Sequence, residues 1–247
     1  LVSEEIKFFS KINDTNISFY WNKIYEPAQF ELDNKVETIL RNKNIKYRLF
    51  KGNVLNEYNS ITKNDGTPFK VFSPFWRHAE QIYLDKVPPK ENKIKKLNKK
   101  LSIFNSKNKP KDLLPKYDWY KKFENYWNVS EKDSHNELHN FLKERILKYS
   151  NDRDFPSLNG SSKLSPYIRN GQLNVNKIWK SCSSIKNKNI GVRKYLNELG
   201  WREFSHSLIN YFPEMLKGNL RKEFDKFPWE KNNKFLNAWK KGMTGYP

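Results

Sequence analysis

Apolar positions change their period several times along the chain. NISFYW (16–21) and KYRLFKG (46–52) are short β-prone runs. Between them, LDNKVETILRNKNI (32–45) carries Val36, Ile39 and Leu40 at helical spacing. Strand, helix, strand within so short a span is the pattern of a parallel pair with a crossover helix. Asn64-Asp65-Gly66-Thr67-Pro68 reads as a turn, and KVFSPFWRHAEQIYL (70–84) returns to an apolar, helix-prone stretch. From residue 117 onward the period becomes helical. SEKDSHNELHNFLKERILKYS (130–150) places Leu138, Leu142, Ile146 and Tyr149 near helical spacing, and VNKIWKSC (175–182) and NELGWREFSHSLINYF (197–212) repeat the pattern. Pro156, Gly160, Pro166, Gly171, Gly191, Pro213 and Pro228 punctuate these segments. The expected organisation is an α/β part over 1–85, a linker over 86–116 and an all-α domain over 117–247. The linker is rich in Lys, Asn and Pro. Such a run touches nucleic acid or is simply solvated, and the solvated state is the default.

Charge sharpens the picture. Lys+Arg number 47 against 27 Asp+Glu, a formal net charge of +20, and aromatic residues make up 15% with 8 Trp. Cations release counterions from phosphates and flat rings stack on bases or flat cofactors, so this balance points toward nucleic acid. Lys and Asn are also enriched on evident surface helices, so part of the charge reflects general composition. The single cysteine, Cys182, excludes an intrachain disulfide and fits a reducing, cytoplasmic setting. No window approaches ~18 apolar residues, so no membrane partner is expected. LVSEEIKFF lacks the order of a signal peptide. The chain starts without Met and stops at GMTGYP, and it is read as an internal fragment lacking both ends.

Several chemistries are not supported. Neither common nucleotide-binding glycine loop is present. His135 and His139 lie four apart in HNELH, but Asn136 stands where a metalloprotease needs Glu, so no metal is expected. No G-x-S-x-G exists, and Cys182 reads as a small core residue.

Two stretches carry a signal. In NGSSKLSP, Ser161, Ser162 and Ser165 offer hydroxyls and backbone N–H groups at a helix start, with Lys163 adding charge. This is a phosphate cradle or an ordinary N-cap. In NELGWREF, Glu198, Trp201 and Arg202 fall at i, i+3 and i+4 on one helical face. They suit a base stack, or a buried Trp beside a structural salt bridge.

Taken together, the chain resembles the photolyase/cryptochrome family of flavoproteins. The resemblance runs in order through YWNKIYEP (20–27), GTPFKVFSPFWR (66–77), RDFPSLNGSSKLSPYIRNGQL (153–173), YLNELGWREF (195–204) and FPWEKNNKFLNAWKKGMTGYP (227–247). NEL followed by WREF is most similar to cyclobutane-pyrimidine-dimer photolyases. The fold implied is an α/β part with a parallel, Rossmann-like sheet, incomplete here. An all-α FAD-binding domain truncated at its C-terminal side follows it.

The resemblance implies that Tyr149, Ser161, Ser162, Lys163, Leu164, Ser165 and Tyr195 line an FAD site. The family usually has Thr and Arg where this chain has Ser161 and Lys163, and often Trp where it has Tyr195. Trp201 would stack on a flipped pyrimidine dimer and Glu198 would hydrogen-bond to it and stabilise its radical anion; these are the catalytic pair. Asn197 and Arg202 would support the site, and Arg153 would contact DNA phosphate. Trp229 matches the surface-end tryptophan of a photoreduction chain. The activity implied is light-driven repair by electron transfer from reduced FAD, with damaged DNA as partner, in a protein monomeric when full length. An antenna chromophore of folate or deazaflavin type is compatible, but AQFELD after YEP lacks the arginines many relatives carry. The rival reading is a cryptochrome-like blue-light photoreceptor with the same flavin site. A flavin-free nucleic-acid binder and a (6-4) photolyase are further alternatives. The fragment alone is expected to be inactive, because further flavin contacts would lie beyond residue 247.

Overall fold

The computed structural model describes residues 18–83, 115–186 and 189–246. The stretch expected as a linker lies outside the described residues, apart from Pro115 and Lys116. The described chain divides into two compact units, the first ending at Tyr211 and the second spanning Phe212–Pro247.

In the first unit, β1 (Ser18–Asn22) and β2 (Lys46–Phe50) pair in parallel, with Ser18 opposite Lys46 and Asn22 opposite Phe50. Helix α1 (Pro27–Asn42) joins them. It begins five residues before the apolar period that announced it, because Pro27 at the first turn presets the helical φ. Asn44, at φ 53°, then turns the chain back into β2. Trp21 stacks on Tyr47 at 5.8 Å and donates its indole N–H to Asp33 of α1 at 3.2 Å. The pair is thus closed across strands and against its own crossover.

The helical part follows. Helix α2 (Phe72–Tyr83) buries Phe75, Trp76, Ala79 and Tyr83 along one stripe. Ser130 caps α3 (Glu131–Asn140), accepting from the Asp133 N–H at 3.0 Å. The same helical rod continues through a π turn (Phe141–Arg145), a 3-10 turn (Ile146–Lys148) and α4 (Tyr149–Asp152). Helices α5 (Ser165–Arg169), α6 (Val175–Ser183) and α7 (Ile190–Tyr211) complete the unit. One core links them, running from Leu55 and Ile61 through Phe75, Phe141, Leu164 and Ile178 to Leu199 and Phe204. Each fully buried side chain of this size stabilises the fold by about 2 kcal/mol. Burial pushes the Cys182 thiol up to about 12, which makes it an inert core residue.

Two glycines let α7 come close to its neighbours. A Cβ on Gly191 would collide with the Ile146 and Leu147 carbonyls, and one on Gly200 with the Trp76 ring. The Leu147 carbonyl, in the 3-10 turn, accepts from the Asn189 side-chain amide at 2.7 Å.

The second unit contains 3-10 turns at Pro213–Leu216 and Lys222–Lys226 and helix α8 (Asn233–Lys240). Asn232 caps α8, accepting from the N–H groups of Lys234 and Phe235. Among the described residues, no helix is long and apolar enough to cross a membrane. No group of three or more potential metal ligands occurs among them either.

Candidate functional site

Helix α7 carries Tyr195, Glu198 and Trp201 at three-residue steps, so the three side chains follow one another along neighbouring faces. Tyr195 is buried. Its ring meets Phe141 at 4.6 Å and the edge of Tyr149 at 5.2 Å, and its phenol hydrogen-bonds to Ser162. Burial pushes both phenols above the usual tyrosine range, which keeps them neutral. The π turn contributes here, because it changes the phase of the rod between Phe141 and Tyr149 and lets both rings reach Tyr195.

The loop after α4 passes beside this aromatic cluster. Gly160 is buried against the Asp152 backbone with no room for a Cβ. Ser161 and Lys163 are exposed, and the Ser162 Oγ accepts from the Leu164 N–H at 3.4 Å. Lys163 sits at φ 56°, a conformation that strains a residue with a Cβ. Leu164 is fully buried and pins the loop, and Ser165 opens α5. Of the residues expected at a cofactor, Tyr195 contacts both Tyr149 and Ser162. Ser161 and Lys163 line the open side of the loop, and Leu164 lies beneath it.

One turn along α7, the Glu198 carboxylate accepts from the Arg153 guanidinium and lies 3.9 Å from the Lys194 ammonium. Arg153 also reaches Asp154 at 3.2 Å and covers the Tyr149 ring at 5.4 Å. The hydrogen bond it donates to Glu198 raises the Arg153 pKa above its usual value. One turn further, Trp201 is 46% exposed. Phe72 lies flat against it, with ring centroids 3.7 Å apart and planes within 10°. Asn197 lines a separate cavity of about 530 Å³ with Trp76, Glu80, Trp179 and Arg193.

Arg202 points elsewhere. It is largely withdrawn from water and pairs with Glu203 at 3.0 Å. Glu203 is fully buried and accepts from the Leu55 N–H at 2.7 Å and from the Asn56 N–H at 3.5 Å. Burial outweighs these partners and raises its carboxyl to about 7. Burial and the nearby Arg202 and Arg169 lower the His206 pKa to about 4. Arg202 and His206 line a cavity of about 360 Å³ with Tyr25, Glu26, Gly52 and Arg169. This cavity lies outside the carboxyl ends of β1 and β2, where parallel sheets place ligand crevices. Trp229 belongs to the second unit, where it is 68% exposed and packs on Phe227 at 4.7 Å.

Comparison with known proteins decides what this arrangement belongs to. Residues 7–94 match the family described as DNA photolyase, and residues 195–247 match the FAD binding domain of DNA photolyase. The deoxyribodipyrimidine photo-lyase of Agrobacterium fabrum is 31% identical over 236 residues, covering 92% of this chain and 48% of that protein. The chain belongs to the photolyase/cryptochrome family. A bacterial class III photolyase structure from Agrobacterium tumefaciens superposes with a TM-score of 0.78 at 27% identity, covering 100% of this chain and 51% of that one. A Synechocystis cryptochrome shares the fold at a TM-score of 0.75 and 19% identity, again covering 100% of this chain and 52% of that one. The chain spans about half the length of these photolyase and cryptochrome relatives.

Two site features of this photolyase-family chain escaped sequence reasoning. Phe72 stands 129 positions before Trp201 in the chain, and no local pattern joins them. Glu203 reads as a surface charge beside Arg202. Its one available signal is its place between Arg202 and the buried Phe204 in WREF.

Proposed function

We propose that the protein carrying this chain is a light-driven DNA lyase that repairs cyclobutane pyrimidine dimers with reduced FAD. The observation that carries the reading is the succession along α7 of buried Tyr195, Arg153-bound Glu198 and half-exposed Trp201. The loop at 159–164 fits a diphosphate-bearing flavin. Asn159, Gly160, Ser161 and Ser162 are small, the exposed side of the loop offers the Ser161 hydroxyl and the Lys163 ammonium, and Ser162 connects it to the buried phenol of Tyr195. Tyr149, Ser161, Ser162, Lys163, Leu164, Ser165 and Tyr195 are the residues we assign to FAD. When bound and reduced, FAD supplies one light-driven electron.

The chain's own groups bind and orient the DNA. The open face of Trp201 receives the pyrimidine pair flipped from the duplex. Stacking of this kind returns about 1–3 kcal/mol per base, which offsets the unstacking cost. The Glu198 carboxylate accepts from a pyrimidine N–H and stabilises the charged pair. Arg153 meets phosphate, and the net charge of +20 draws the backbone in. Asn197 and Arg202 support the DNA site. The two carbon–carbon bonds of the ring break with no net oxidation or reduction. Trp229 serves photoreduction, and a second, antenna chromophore of folate or deazaflavin type is compatible with this reading. The protein acts as a cytoplasmic monomer without a metal.

The test uses the complete gene product, purified with FAD and chemically reduced. It is mixed with dimer-containing oligothymidine, and the return of thymine absorbance is followed under blue light. Light-dependent recovery that disappears when Glu198→Ala and Trp201→Ala are combined supports repair. No recovery at full FAD occupancy would overturn it in favour of a photoreceptor.

A further inference from the structure

We propose that Phe72 is the positioning residue for Trp201, holding the indole plane so that one face is filled and the other is ready for the flipped pyrimidine pair. This rests on the reading of Trp201 as the stacking residue.

The geometry argues for a platform more than for filling of the core. Phe72 and Trp201 lie within 10° of parallel at 3.7 Å, and Phe72 and Trp76 within 11° at 6.1 Å. Three rings from two helices therefore share nearly one orientation. The inner ring, Trp76, is buried and wedged by Tyr83 and Trp179 at 6.0 and 5.7 Å. The outer ring, Trp201, is 46% exposed. Phe204 meets it at 6.0 Å and 71°, and Phe72 lies flat on one face. Gly200 makes the approach feasible, because a Cβ there would strike the Trp76 ring that backs the stack. An indole held only by its own rotamer would sweep several orientations. One clamped between Phe72 and the Phe204 edge presents a fixed plane, and a partner that stacks on it loses less freedom on both sides. The partner this surface fits is a flat, unstacked pair of bases.

The test compares affinity for dimer-containing and undamaged oligonucleotides in the complete, FAD-loaded protein. Phe72→Leu keeps an apolar side chain of similar bulk but removes the plane. It is expected to weaken dimer binding roughly tenfold, the scale of an aromatic pair, while binding to undamaged DNA stays unchanged. Phe72→Tyr is expected to restore the preference. In a Trp201→Ala background, Phe72→Leu is expected to cause no further loss. If Phe72→Leu shifts thermal stability but leaves the preference for the dimer intact, Phe72 is core packing and the proposal fails alone. If Trp201→Ala itself leaves that preference intact, the reading of Trp201 fails and the role of Phe72 falls with it. Should Phe72→Leu not fold, Phe72→Met read against Phe72→Tyr decides the same question.

Discussion

The Arg153 guanidinium holds the Glu198 carboxylate across 45 residues of sequence, and it does so while covering the ring of Tyr149. Both side chains of the pair are about a quarter exposed. A phosphate approaching Arg153 therefore competes with Glu198 for the same donors. Arg153→Ala is expected to weaken binding to damaged and undamaged DNA alike and to lower the slope of log affinity against log salt by about 1. Titrations at several salt concentrations check this. The same change is expected to cost about 1 kcal/mol of stability, the scale of a partly screened pair.

Glu203 makes stability depend on pH. Its carboxyl titrates near 7 in the folded protein, above the ordinary value of 4.5. The folded state thus binds more protons than the unfolded state between those values, and stability falls as pH rises through that window. The full effect is about 3 kcal/mol. His206, lowered to about 4, acts with the opposite sign, since stability is lost as pH falls below about 6.5. Comparing wild type with Glu203→Gln isolates the carboxylate, because His206 is present in both. The stability of wild type relative to the variant is expected to drop between pH 5 and pH 8, whatever constant offset the unpaired Arg202 adds. Denaturant unfolding across that range measures it. A difference that stays flat with pH would contradict the raised pKa.

Gly200→Ala sets two effects against each other. Helix propensity favours Ala by about 1 kcal/mol. The new methyl group meets the Trp76 ring, which is buried and packed against Phe72, Tyr83 and Trp179. Overpacking of this kind costs about 1–3 kcal/mol and prevails. A lower denaturation midpoint with unchanged slope is the expected result.

Lys163→Gly is expected to separate stability from cofactor affinity. Removing the Cβ at φ 56° relieves about 1 kcal/mol of backbone strain, partly offset by the freer unfolded chain. The melting temperature of the apoprotein therefore stays level or rises slightly. FAD affinity falls severalfold, because the loop loses its ammonium. Calorimetry and flavin titration read the two quantities separately.

Much of this arrangement was legible in the residues. The two β-prone runs flanking a helical period foretold the parallel pair. Spacing alone placed Glu198 and Trp201 one turn apart. What was hidden depends on contacts distant in sequence. Gly191 reads as a break, yet it lies inside α7, because a neighbouring carbonyl leaves no room for a side chain there. Arg202 shares a helical face with Glu198 by count, but a buried carboxylate on the next residue draws it toward the strand ends. The π turn that brings Tyr149 to Tyr195 leaves no signature in apolar spacing, since it changes the helical period for a single turn.

Because Tyr195 and Trp201 ride on one unbroken helix, they are separated by a ruler. Six residues at the helical rise amount to about 9 Å along the axis. Motion in the loops around 159–164 changes what can enter at either end, but it does not stretch the rod. Whatever rests on the tyrosine side and whatever lies on the tryptophan face are kept at a length standard written into α7. A process that depends steeply on that separation would run at nearly the same rate in a cold or viscous medium as in a warm one.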